Sequence, residues 1–329
     1  MGEGVAPVRD GGGVLNWIRV RLSNPLMTKE LRGRMRGARA FVVLSVYLLL
    51  LSCFTSIIYY TFSATSSGPG GGMAMAEAGK VIFYSVVVIE IFMVSFVTPG
   101  FTSSAISGEK ERRTYEVLRT TLLPAHKLVA GKFSSALTYM VLLILAAVPL
   151  ESLAFVLGGV VVAELVVALI ILCVAAFFFA AVGLFFSSFL RSTLAATIFT
   201  YVVALLTTIG LPVLVIILGT TMGALFYGAA PGGIEPWLWE VITLYAVILL
   251  AGLSPISAAV GAELLLTDQD SLFYYWQDVG YMYSGLGPSG STYSIPIPSP
   301  WLIYVVVYLG LSVVFLLLTV LRVRQQARR

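Results

Sequence analysis

The chain has 329 residues, of which 59% are hydrophobic and only 11% charged, with a net charge of +4 at pH 7. Soluble domains carry about 25% charged residues, so this chain has too little polar surface to cover a water-soluble fold. Its apolar runs are long and continuous rather than alternating, which disfavours a membrane β-barrel and makes an all-α polytopic membrane protein the default reading.

Residues 1–22 are polar and Gly-rich, and the first apolar run begins at Ala40. That run is too long for the apolar region of a signal peptide and reads as a retained span. Before it lies NPLMTKELRGRMRGARA, residues 24–40. On a helix, Met27, Leu31, Met35 and Ala38 share one face and Lys29, Arg32, Arg36 and Arg39 the opposite one, with Arg34 beside the apolar side. Pro25 suits a helix start. The pattern predicts an amphipathic in-plane helix in a cytoplasmic segment 1–39, followed by a membrane domain over 40–329.

A helix needs about 20 apolar residues to cross a hydrocarbon core of about 30 Å. Runs over 40–61, 80–104, 133–157, 160–190, 193–219 and 301–321 meet that length. Residues 63–77, SATSSGPGGGMAMAE, are expected to form a flexible external loop; the glycines lack the spacing and the Lys-Ser/Thr of a phosphate-binding loop. Pro99-Gly100 and Pro212 predict kinks. A further run, 241–262, is interrupted by Gly252 and the Ser254-Pro255 step and is expected to turn back within the membrane.

Basic residues favour the cytoplasmic side of short loops. Residues 9–39 hold eight Lys and Arg, 107–132 hold six, Arg191 marks a turn, and Arg322, Arg324, Arg328 and Arg329 form the tail. All fall on one side if both termini, the 105–132 loop and the 190–193 turn are cytoplasmic; only Lys80 does not. A full crossing by 241–262 would put the basic tail outside, so parity also favours a re-entrant segment. The 263–300 loop is then external, and its Phe273, Tyr274, Tyr275, Trp276, Tyr281, Tyr283 and Tyr293 read either as an interfacial aromatic belt or as a lid over an exit.

Cys53, Cys173 and the single His126 cannot assemble a metal site at any usual spacing. Glu90 lies mid-span in VVVIEIFMV, and an acid at that depth costs about 2.5–3.5 kcal/mol on insertion scales, which makes it a candidate for the translocation path or for helix packing. Glu151 and Glu164 flank the Gly158-Gly159 turn and are expected to be exposed at the interface.

The densest charge lies in SGEKERRTYEVLRTTLLPAHKLVAGK, residues 107–132. Ser107 reads as a cap, with Glu109 and Glu111 in the first turn. Arg112 and Arg113 are spaced to pair with Glu116, and Glu116 with Arg119. Tyr115, Leu118 and Leu122 fall on one stripe, and Pro124 reads as the end. The expectation is one short amphipathic helix on the cytoplasmic face. Interleaved acids and bases fit a protein partner better than a lipid surface, which favours mostly basic charge.

The N-P-L-M-T-K-E-L-R-G-R-M-R-G segment and the S-G-E-K-E-R-R-T-Y-E-V-L-R-T-T-L-L-P segment with its K-L-V-A-G-K continuation resemble the membrane subunits of ABC-2 type transporters. The resemblance covers nearly the whole chain. It implies six spans preceded by an in-plane helix, a coupling helix between spans two and three, and a re-entrant hairpin before span six. It also implies that 108–124 docks onto a separate ATP-binding subunit, with Gly108, Glu109, Lys110, Glu111, Arg112 and Arg113 as the docking element and Thr114, Glu116 and Leu118 following. ATP and Mg are then expected on that partner and no cofactor on this chain, in which no G-x-x-x-x-G-K-[ST] occurs. A second permease subunit, identical or related, and membrane lipids complete the expected partners; nucleic acid is not among them. Export across the inner (plasma) membrane follows from the resemblance, and the substrate is not readable. Reversing Glu109 and Glu111 to Lys is expected to uncouple the partner and leave the fold intact. Two other classes fit the residues alone: an ATP-independent carrier or channel using Glu90, and a scaffold recruiting a cytoplasmic complex.

Overall fold

The computed structural model describes residues 30, 33, 38–65, 71–114, 124–156, 158–226, 236–269, 271–279 and 293–328. Helices dominate: α1 (Ala38–Thr65), α2 (Gly71–Thr102), the short α3 (Ser107–Glu111), α4 (Ala125–Val156), α5 (Val162–Phe189) and α6 (Thr193–Leu205). A π-helical turn, Leu206–Gly210, joins α6 to α7 (Leu211–Phe226). Then come α8 (Pro236–Ala251), α9 (Pro255–Gln269), β1 (Tyr274–Val279), β2 (Tyr293–Pro298) and α10 (Pro300–Arg328). Among the described residues, six helical stretches are long and apolar enough to cross a membrane: α1, α2, α4, α5, α6 with α7, and α10.

The core centres on α5, which packs against α2, α4, α6, α9 and α10. Its most apolar window is 67% buried, against 11% for α1. A helix apolar on every side belongs inside a bundle, and small residues let its neighbours approach closely. Ala175, Ala176, Ala180 and Ala181 are fully buried. At Gly183 a Cβ would overlap the Thr102 hydroxyl and lie 2.9 Å from Thr102 Cβ, so only glycine fits where α2 ends against α5.

Boundaries differ from the sequence reading at several points. Part of the expected 63–77 loop is helix: α1 continues to Thr65 and α2 begins at Gly71. Met73, Ala74, Met75 and Ala76 are good helix formers. Pro124 immediately precedes the first residue of α4, where its missing N–H costs nothing. The kink expected at Pro212 takes the form of the π-turn just before it. The proline ring crowds the carbonyl four residues back and the turn widens. There Thr208 bonds Ser95 on α2 at 2.9 Å.

Helices α8 and α9 have 16 and 15 residues and break at 252–254. Tyr308, well inside α10, donates to the Leu253 carbonyl at 2.7 Å. The two arms lead back to the start of α10: Tyr245 donates to the Pro296 carbonyl at 2.6 Å, and Gly261 abuts Pro300. Within the expected 263–300 loop lies a two-stranded antiparallel ribbon, pairing Tyr274 with Pro298 and Trp276 with Pro296. Its β-branched and aromatic residues suit strands, and proline is tolerated at a ribbon's free edge. Ser299 N–H and the Trp301 indole bond the Phe273 and Leu272 carbonyls at 2.9 and 2.8 Å, fixing the ribbon to α10.

Candidate functional site: the clasp at the basic end

One end of the bundle gathers Lys110, Lys132, Arg191 and Arg322; the other carries Lys80, Glu164, Glu263 and the ribbon. At the basic end the chain turns out of α2 into α3. Ser187, near the end of α5, accepts from the N–H groups of Ile106 and Ser107 at 2.8 and 2.9 Å. It thereby satisfies donors that a helix start leaves orphaned. The cap is therefore not Ser107, as its position suggested: Ile106 is the cap residue, and the Ser107 hydroxyl donates to Ser103 O at 3.0 Å.

Three consecutive residues of α3 hold three different spans. Glu109 accepts from Lys132 of α4 at 2.7 Å. The Lys110 ammonium donates to the Ser188 carbonyl, and to that of Leu190 at 3.4 Å, at the C-terminal end of α5. Glu111 accepts from the N–H of Thr193 at 2.7 Å and from its hydroxyl at 2.9 Å, at the first turn of α6. A cation at a helix C-terminus and an anion at the next N-terminus each suit the local dipole. Adjacent side chains thus clamp both sides of the α5–α6 turn. From the last span, Gln326 also reaches Ser188 O at 3.4 Å, and Arg322 lies over the Phe189 ring at 4.9 Å.

Lys132 is only 3% exposed and also meets Glu30 at 3.2 Å. A buried ammonium is retained only when paired. The lysine therefore binds the segment before α1 to both α3 and α4.

The predicted docking residues divide into two groups. Glu109 and Lys110 are half-buried and turn toward the bundle, Glu111 is exposed but held along the surface by Thr193, and a Cβ at half-buried Gly108 would lie 3.7 Å from the Thr193 methyl. Arg112, Arg113 and Thr114 are exposed. Helix α3 ends at Glu111 rather than running to Pro124, because Arg113 takes φ 57°. Thr114 N–H bonds Glu109 O at 3.0 Å and Arg113 N–H bonds Lys110 O at 3.2 Å, a Schellman closure in which arginine holds glycine's usual place. Glu116 and Leu118, with Tyr115, Arg119 and Leu122, lie outside the described residues, as does most of the expected in-plane helix. The expectation that reversing Glu109 and Glu111 leaves the fold intact does not survive this geometry: it sets a cation against buried Lys132.

Deeper in the bundle Glu90 is fully buried, and its Oε1 accepts from Tyr47 of α1 at 3.1 Å. The expectation for Glu151 and Glu164 is overturned, since both are buried, at 1% and 5% exposure. Glu151 sits on α4 facing Glu90, and Glu164 bonds its own helix start at Val161 N–H, 3.3 Å away. Lys80, the outlying cation of the charge count, pairs with Glu263 at 3.7 Å, and Tyr84 donates to the same carboxylate. Glu164 and Glu263 border a cavity of about 10 Å³, the space of a single water. Among the described residues no group of three or more His, Cys, Asp or Glu is placed to hold a metal ion.

Sequence reasoning missed the inward role of Lys110, the bond of Glu111 to Thr193 and the contact of Ser187. Lys132 offered a signal, being a cation two turns into α4 at the start of its long apolar run.

The family model for the ABC-2 family transporter protein matches residues 25–326. The chain therefore belongs to the ABC-2 family of transporter proteins: it is a multi-pass membrane transport component of that family. Comparison with curated proteins gives no match.

Proposed function

We propose that this chain is the permease subunit of an ATP-driven exporter whose ATP-binding subunit docks on 108–124. The supporting observation is the α3 clasp, in which three successive side chains reach α4, α5 and α6. A partner pressing on the exposed Arg112–Thr114 face moves α3, and with it the ends of three spans. ATP and Mg belong to that partner. Both termini and the basic end face the cytoplasm, in line with the placement of Lys and Arg. The α8–α9 hairpin is re-entrant from the opposite side. A second permease subunit, identical or related, completes the transporter in the inner (plasma) membrane, and Glu90 stands beside the translocation path.

The test is to tag the chain, extract it gently from its native membrane and identify what co-purifies. A stoichiometric soluble subunit bearing G-x-x-x-x-G-K-[ST] supports the reading. Its absence, in an extract where other membrane complexes survive, removes the ATP-driven step and leaves a stand-alone carrier or a scaffold.

A further inference from the structure

Glu90 on α2 and Glu151 on α4 face one another inside the bundle, at 0% and 1% exposure. Three of their four carboxyl oxygens, Glu90 Oε2 and both of Glu151, have no hydrogen-bond partner. The fourth accepts from the Tyr47 hydroxyl at 3.1 Å. Neither carboxyl makes an ion pair among the described residues. The other acids near this half of the bundle, Glu164 and Glu263, gather instead around Tyr84, with Lys80 on Glu263. Tyr47 from α1 and Glu151 from α4 are thus the titratable groups that face Glu90.

Two facing carboxylates at low dielectric repel strongly, and each orphan oxygen carries a desolvation cost. Two neutral acids avoid the repulsion but leave several polar atoms unpaired. A single proton resolves both problems. Carried on Glu151, it forms an O–H that donates to Glu90 Oε2. The Glu90 carboxylate then accepts two hydrogen bonds, one from Tyr47 and one from Glu151, and only a neutral carbonyl oxygen stays unpaired. No other bond forms or breaks, and Tyr47 keeps its own proton.

We propose that Glu90 and Glu151 form a proton-binding site in which one exchangeable proton is shared between α2 and α4. Its occupancy depends on the two helices remaining in register. A rearrangement that parts them leaves an acid and a carboxylate each without its partner and exposes the proton to exchange. The site stands independently of the ATPase-docking reading.

The experiment is infrared spectroscopy of the full chain in lipid nanodiscs, with ¹³C-labelled glutamate to identify the protonated-carboxyl C=O stretch. At neutral pH the wild type should show that band, unchanged when sodium chloride replaces choline chloride. Glu90→Gln and Glu151→Gln each mimic the one-proton pair, so each should lose the band whole while the protein remains folded. A band of half intensity surviving in each variant means two independent acids and overturns the sharing. Loss of the wild-type band on adding sodium means a metal-ion site and overturns the proton. If both variants misfold, the wild type decides alone: absence of the band at neutral pH ends the proposal.

Discussion

Lys132 of α4 meets Glu109 of α3 at 2.7 Å while a second carboxylate, Glu30, approaches the same ammonium at 3.2 Å. One buried cation therefore joins three parts of the chain distant in sequence. Breaking a buried pair by removing one partner costs about 3–5 kcal/mol, because the other charge is left uncompensated. The two glutamates here are about a quarter exposed, at 25% and 26%, which places the cost at the low end of that range. Lys132→Ala should accordingly lower the thermal unfolding midpoint of the purified protein, measured by intrinsic fluorescence in detergent. Lys132→Arg, which keeps the charge, should recover most of the loss. Equal loss in both would mean that packing rather than charge holds this position.

Arg113 tests the closure of α3. A non-glycine residue in the left-handed region costs roughly 1–2 kcal/mol, and Arg113 sits there at φ 57°. Arg113→Gly should raise stability by about 1 kcal/mol, since glycine adopts that conformation freely. If the exposed guanidinium also contacts the partner, the same variant will bind it less tightly. A more stable protein that docks less well would show strain kept for function. Unchanged stability would mean that the turn relaxes without the arginine.

Gly183 provides a packing prediction with its own control. A methyl there overlaps the Thr102 hydroxyl and comes within 3.3 Å of the Ser103 nitrogen. Overpacking typically costs about 1–3 kcal/mol, so Gly183→Ala should destabilise by that amount. Thr102→Ala removes the closest atom. Combined with Gly183→Ala it should restore part of the loss, a coupling that a double-mutant cycle reads directly. Additive losses would mean that α2 and α5 part rather than repack.

The spans were legible because a hydrocarbon core demands long apolar helices, and the runs at 160–190 and 301–321 fall within α5 and α10 with their flanking residues. The helix break near Gly252 and Pro255 was legible for the same reason that glycine and proline punctuate any helix. Side-chain partners were not. Local spacing offered Glu116 to Arg112 and Arg113, but says nothing of Thr193, some eighty residues away, which donates to Glu111. Glu151 looked interfacial because it lies near a span's end; only helix packing shows that the end is covered. Left-handed geometry at Arg113 was invisible because the sequence there continues a good helical pattern.

The division of the GEKERRT stretch into inward and outward side chains yields the prediction that bears most directly on docking. Glu109 and the exposed Glu111 hold Lys132 and Thr193, whereas Arg112 and Arg113 are exposed with their side chains turned to solvent. Exposed substitutions away from such contacts usually change stability by less than about 0.5 kcal/mol. Arg112→Glu with Arg113→Glu should therefore leave the thermal midpoint nearly unchanged and abolish co-purification of an ATP-binding partner. Glu109→Lys with Glu111→Lys should lower the midpoint and the yield of folded protein before any question of binding arises. Both pairs are assayed by size-exclusion chromatography, unfolding midpoint and partner recovery. Should the arginine pair unfold the protein while the glutamate pair spares it, the assignment of latch and docking face is reversed. Should the arginine pair keep both fold and partner, the docking surface lies elsewhere on the basic end.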